Sequence, residues 1–115
     1  MSAMQSNFSG SVPTPLPQTS PLNILITGAS RGIGFELVKQ YSLAYKDNII
    51  IAGVRDPKNI NKELTLFASK HTNIHIIPLD VYNESSIKSS INYIPSEVKS
   101  IDILYNNAGI MGKPY

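Results

Sequence analysis

The sequence predicts an α/β protein: a parallel sheet in strand order 3-2-1-4, wound on both sides by helices, behind a disordered tail. Three observations carry this. From Leu22 onward, short apolar runs alternate with stretches of helical period. A glycine-rich stretch, TGASRGIG (residues 27–34), joins the first apolar run to the first helical stretch. The segment before Leu22 shows neither pattern.

That segment, residues 1–21, reads MSAMQSNFSGSVPTPLPQTSP and holds four of the chain's eight prolines. It has too little apolar surface to offset the entropy of ordering, so a disordered tail is expected. PTPLP within it also fits a polyproline ligand for an aromatic groove, but such tracts are compositionally common.

The elements follow in order. LNILIT (22–27), bounded by Pro21 and Gly28, is a buried strand. Ile33, Leu37, Tyr41 and Ala44 then form the apolar stripe of a first helix. NIIIAGV (48–54) is a second strand. Pro57 opens the next helix, with Ile60, Leu64 and Phe67 as its stripe. NIHIIPL (73–79) is a third strand. Asn83 or Ser85 caps a third helix, whose stripe runs through Ile87, Ile91, Ile94 and Val98. IDILY (101–105) is a fourth strand. Right-handed crossovers between parallel strands leave 3-2-1-4 as the natural order.

With 115 residues the chain makes one domain at most. Its net charge of +2 comes without a basic run, so no nucleic-acid partner is indicated. The absence of cysteine excludes disulfides, thiolate metal sites and a cysteine nucleophile. No apolar run approaches the roughly 20 residues of a membrane span. Arg31 is the first ionisable side chain, which fits neither a secretory signal nor an arginine-rich presequence, and a cytosolic address is expected. His71 and His75 fall in different elements with no third ligand in view, so no metal site is expected. Tyr41, Tyr93 and Tyr105 are read as packing residues.

The glycine loop has a specific physical use. A helix N-terminus carries unpaired N–H groups and partial positive charge, and a pyrophosphate can sit there if the backbone comes close. Gly28 lets the chain turn after the strand. Gly32 removes a side chain that would block the phosphate, and Gly34 lets the helix pack tightly on the strand. Ser30 adds a hydroxyl. The spacing is Gly-x-x-x-Gly-x-Gly; no Gly-Lys-Ser/Thr follows, so it is not a P-loop.

TGASRGIG resembles the cofactor loop of the short-chain dehydrogenases/reductases, Thr-Gly-x-x-x-Gly-x-Gly. Asp80-Val81 after the third strand and NNAG (106–109) after the fourth are similar to two further motifs of that family. VRDPKN after the second strand resembles its carbonyl-reductase-type members, the sniffer-like and C-factor-like group. The likeness runs from Leu22 to about Gly112. It implies the N-terminal half of a Rossmann fold that binds a nicotinamide cofactor for hydride transfer. The cofactor contacts it implies are Gly28, Ser30, Arg31, Gly32, Ile33, Gly34, Arg55, Asp80, Val81, Asn107, Ala108 and Gly109.

Cofactor selectivity rests on the end of the second strand. An acid there holds ribose hydroxyls and selects NAD. Here Val54-Arg55 takes that place, and Arg31 and Arg55 are the chain's two arginines. A guanidinium fork suits a 2′-phosphate, so NADP is expected over NAD. Asp56 beside Arg55 leaves a ribose acceptor open. Asp80 reads equally as a turn residue or a helix cap, and Asn106 and Asn107 as groups that satisfy backbone where the strand ends.

No catalytic residue is assigned. The family's Tyr-x-x-x-Lys pair occurs nowhere in the chain, and the substrate-binding part of the family fold lies beyond the matched region. The expected domain is therefore partial, residues 22–115, with a small carbonyl or alcohol as substrate if completed. Its bare fourth strand would invite self-association. A non-catalytic nucleotide-binding or interaction module is the second reading.

Overall fold

The computed structural model describes residues 18–107. Four parallel strands, β1 (Asn23–Thr27), β2 (Ile49–Val54), β3 (Ile74–Pro78) and β4 (Ile103–Tyr105), form one sheet in the order β3-β2-β1-β4. This is the order that the sequence predicts. Three helices connect them: α1 (Gly32–Ala44), α2 (Lys62–Ser69) and α3 (Glu84–Ser90). Among the described residues no helix is long and apolar enough to cross a membrane.

β2 is central and sealed on both faces, which is why it reads as an unbroken apolar run: Ile50, Ile51 and Ala52 are fully buried. On one face Ile24, Ile26, Ile50, Ala52, Val54 and Ile74 pack against Phe35, Leu37, Val38 and Tyr41 of α1 and Leu64 of α2. Phe35 meets Phe67 edge-on at 6.4 Å, joining the two helices over the sheet. Tyr41 bridges α1 to β4, its hydroxyl 2.7 Å from that of Tyr105. The return from β3 to β4 runs the other way across the sheet, so a right-handed crossover sets α3 on the opposite face. α3 buries none of its residues, and Leu104 on β4 is 59 % exposed.

Several local expectations change. The buried face of α1 is Gly34, Phe35, Leu37, Val38, Tyr41 and Ser42, while Ile33 and Ala44 are exposed. The stripe is rotated because glycine and serine belong to its contact face. Pro57 opens a 3₁₀ turn (Pro57–Asn59), and α2 starts only after its cap Asn61. Asn83, rather than Ser85, caps α3 through the Ser86 N–H. α3 ends at Ser90 and gives way to a 3₁₀ turn, Ile91–Tyr93. Ile94 then leaves helical geometry because Pro95 follows it. Tyr93 is exposed rather than packed. His71 stacks on the Phe67 ring and donates through Nδ1 to the Phe67 carbonyl at 2.9 Å, at the end of α2.

A polar lock closes the amino end of the sheet. Asn48 is fully buried. Its Oδ1 accepts from the Leu22 N–H at 2.9 Å and from Gln18 Nε2 at 2.8 Å. Its Nδ2 donates to the Tyr41 carbonyl at 2.8 Å and to Gln18 Oε1 at 2.9 Å. Gln18, inside the stretch read as tail, thus completes all four bonds of this amide.

Two predictions follow from these contacts. Asn48→Ala leaves the Leu22 N–H and Tyr41 carbonyl without partners in the interior, and should lower stability by on the order of 3 kcal/mol in denaturant titrations. Gln18→Ala should cost less, since those two backbone groups keep their bonds. Burial first, and the Tyr105 hydroxyl second, push the Tyr41 phenol well above its ordinary range. The folded chain therefore favours the neutral phenol. That contribution is complete below about pH 10 and is lost as pH rises from there toward the folded-state value. Tyr41→Phe should flatten this alkaline fall in melting temperature while lowering stability at neutral pH by about 1 kcal/mol.

Candidate cofactor site

Parallel strands bring their carboxyl ends to one edge, where ligands of such sheets gather. The register pairs Thr27 with Gly53, Gly53 with Ile77 and Ile26 with Tyr105. The segments that leave this edge are the glycine loop, the stretch from Arg55, the stretch from Asp80, and Asn106-Asn107.

The loop is shaped by two residues in the left-handed region, Gly28 and Gly32, both with φ near 61°. A Cβ at Gly32 would meet no protein atom within 4 Å, so the space beside it is open toward the surface. At Gly34 the case is opposite. A Cβ there would run into the Gly28 carbonyl oxygen and come within 2.7 Å of Asn107 Nδ2. Glycine at this position is what lets α1 lie against the end of β1. Asn107 Nδ2 also donates to the Gly28 carbonyl at 3.1 Å, tying β4 to the loop. Thr27 Oγ1 donates toward Asn106 Oδ1 at 3.3 Å across the same gap.

The start of α1 is uncapped. Arg31 occupies the cap position in extended conformation, with no side-chain bond to the first turn, and that turn has no acid. α2 and α3, by contrast, are capped by Asn61 and Asn83 and carry Glu63 and Glu84 in their first turns. Ile33 and Arg31 are exposed at the mouth of the loop. This backbone fits an anionic group: two positive-φ glycines, free space at Gly32 and uncapped helix N–H groups.

Ser30 faces the neighbouring loop. Its Oγ accepts the Asn61 N–H at 3.1 Å, which leaves the hydroxyl proton for another acceptor. Arg55 is exposed and makes no ion pair among the described residues. Asp56 Oδ1 accepts the Lys58 N–H at 3.0 Å and Oδ2 accepts Asn59 Nδ2 at 2.8 Å. Asp80 is half-buried beside Val81 and makes a turn: Oδ1 accepts the Tyr82 N–H at 3.0 Å, and its own N–H donates to Ser86 Oγ at 2.8 Å. Ala108 and Gly109 lie outside the described residues.

A family model described as short chain dehydrogenase matches residues 22–114. The chain belongs to the short-chain dehydrogenase family. It is 37% identical over 93 residues to the short chain dehydrogenase gsfK of Penicillium aethiopicum, covering 80% of this chain and 37% of that protein. It is 36% identical over 100 residues to a (+)-neomenthol dehydrogenase of Capsicum annuum, covering 82% and 31% of the two chains. It is 31% identical over 102 residues to the chloroplastic chlorophyll(ide) b reductase NOL of Oryza sativa subsp. japonica, covering 87% and 29%. This short-chain dehydrogenase sequence thus spans about a third of the length of these relatives.

Sequence reasoning missed Asn61, which joins Ser30 to the start of α2, and the engagement of Asp56 by its own turn. Asn61 carried a visible signal as a capping residue one place before the helix. Its bond to Ser30 crosses 31 positions and has no sequence signature.

Substitution of either of the last two glycines of the loop should lower stability, each for its own reason. Gly34→Ala forces α1 away from β1 and should cost roughly 1–3 kcal/mol of stability by thermal or denaturant unfolding. Gly32→Ala meets no steric block but holds an L-residue at positive φ, at a cost of about 1–2 kcal/mol. A Gly34→Ala chain as stable as the unmodified protein would mean that α1 is not held by this contact.

Proposed function

We propose that this chain is the NADP-binding part of a short-chain oxidoreductase that moves hydride between the nicotinamide and a small carbonyl or alcohol. The observation that carries the reading is the uncapped start of α1 at Gly32, reached through a turn at Gly28 at the carboxyl edge of the sheet. The relatives' names, dehydrogenase and reductase, weigh against a purely non-catalytic module.

In this reading the first-turn N–H groups of α1 receive the pyrophosphate, with Ser30 donating its hydroxyl proton. Asp80 and Val81 border the adenine. Asn107, with Ala108 and Gly109, borders the ribose on the nicotinamide side. Arg55 and Arg31 serve the 2′-phosphate. Arg55 has no carboxylate partner among the described residues, and Asp56 is occupied by Lys58 and Asn59. This favours NADP over NAD. When bound, the nicotinamide supplies or accepts the hydride. The proton that accompanies it comes, on this reading, from the part of the relatives' length that this chain does not span. Self-association along β4 belongs to the same proposal, since an edge strand that exposes its own Leu104 favours a further strand.

NADP should bind more tightly than NAD in calorimetric titrations. Arg55→Glu should remove most of the difference, since a charge-assisted contact of this kind contributes about 1.5–3 kcal/mol. A preference unchanged by the substitution would assign the 2′-phosphate to Arg31 or to neither arginine.

A further inference from the structure

Asp56 stands beside the place where an acid selects NAD, one residue past Arg55 at the end of the second strand. Its bonds assign it another task. Both carboxylate oxygens are engaged within its own loop, by the Lys58 N–H and by the Asn59 side chain, and its carbonyl accepts the Asn59 N–H at 2.9 Å. Together these close the 3₁₀ turn Pro57–Asn59, whose first position is the proline. The Asn59 amide first, and the Lys58 N–H second, hold the Asp56 carboxyl below its ordinary value, so the ionised form is the one that caps.

The same connection is fixed at its far end. Asn61 Oδ1 accepts the Glu63 N–H at 2.8 Å and starts α2, while the Asn61 N–H reaches back to Ser30 Oγ. At its near end the Leu79 N–H donates to the Val54 carbonyl at 2.8 Å, and the Ala29 N–H donates to the Gly53 carbonyl at 3.1 Å. The segment carrying Arg55 is thus held in three places: by β2 and its neighbours, by Asp56 in the middle, and by the glycine loop at the end. Asp56 is the one of the three that is a side chain of the segment's exposed part, one residue from Arg55.

We propose that Asp56 is a positioning residue for 2′-phosphate recognition. It caps the turn behind Arg55, is thereby withheld from the ribose hydroxyls, and keeps Arg55 and the glycine loop in one arrangement. The inference rests on the NADP reading above and gives an acid the opposite effect from the usual one at this place. Removing the cap weakens binding of the 2′-phosphate instead of strengthening it.

The test uses the 115-residue chain and two probes, adenosine 2′,5′-bisphosphate and adenosine 5′-monophosphate, titrated by calorimetry. Asp56→Ala removes the cap. Asp56→Asn keeps an oxygen for the Lys58 N–H while removing the charge. Loss of a cap should weaken the bisphosphate about threefold to tenfold in Asp56→Ala and leave the monophosphate within about twofold. Asp56→Asn should bind the bisphosphate at least as tightly as the unmodified chain. Amide exchange at Lys58 should quicken in Asp56→Ala and not in Asp56→Asn, with the far-ultraviolet spectrum unchanged in both. If both variants weaken the monophosphate and tighten the bisphosphate, Asp56 is a ribose acceptor and the inference is overturned. If the unmodified chain prefers the bisphosphate and Asp56→Ala binds it equally well, the inference alone fails. If the unmodified chain binds neither probe, the cofactor reading fails and takes this inference with it.

Discussion

A side chain at position 34 would occupy the space of the Gly28 carbonyl oxygen, so α1 lies as near to β1 as two backbones allow. Most of the site depends on that approach. It places the first turn of α1 directly over the carboxyl end of the strand, where the chain reverses through two positive-φ glycines. It brings the Gly28 carbonyl within reach of Asn107, so the fourth strand is fastened to the same loop that the first strand enters. It also sets the phase of α1, since a glycine that touches backbone must belong to the buried face. Phe35, Leu37, Val38 and Tyr41 then follow onto the sheet.

The order of elements and the sheet topology were legible because they rest on periodicity and crossover handedness, which survive small local errors. The phase of α1 was not. Counting apolar residues favoured Ile33 and Ala44, whereas contact there is made by Gly34 and Ser42, which no hydrophobic count would select. The length of α3 was misread for a simpler reason. Ile91 and Ile94 kept the helical spacing, but Pro95 withdraws helical geometry from the residue before it. Of the site, the loop glycines and their neighbours were legible as a pattern. The bonds of Ser30 to Asn61 and of Asn107 to Gly28 were not, because they join segments far apart in the chain.

The structure separates two classes of polar residue at the carboxyl edge. Asp56, Asn61, Asp80 and Asn83 all close turns or start helices of their own segments, each with a backbone N–H as partner. They act on a ligand through the backbone they hold. Ser30 and Arg55 differ. Ser30 keeps its hydroxyl proton after accepting from Asn61, and Arg55 has no ion-pair partner among the described residues. A short polar side chain beside a proline or a helix start is more easily satisfied locally than by a ligand, which is why acids alone are weak guides to selectivity here.

The two faces of the sheet are unequally covered, and the site straddles the difference. α1 and α2 seal one face with an apolar core that reaches from Leu64 to Tyr41. The other face carries α3, none of whose own residues is buried, and ends at β4 with Leu104 exposed. Local stability should follow burial, highest at β1, β2 and α1 and lowest at β4 and α3. Gly28 and the start of α1 belong to the first group, and Asn106 and Asn107 to the second. A ligand that touches both sides therefore binds the arrangement with β4 docked and not the one with β4 released. By linkage, it raises the stability of the weaker side by as much as it favours that arrangement. The Asn107 bond to Gly28 and the Tyr41–Tyr105 pair already work in this direction, both at the carboxyl end of a three-residue strand.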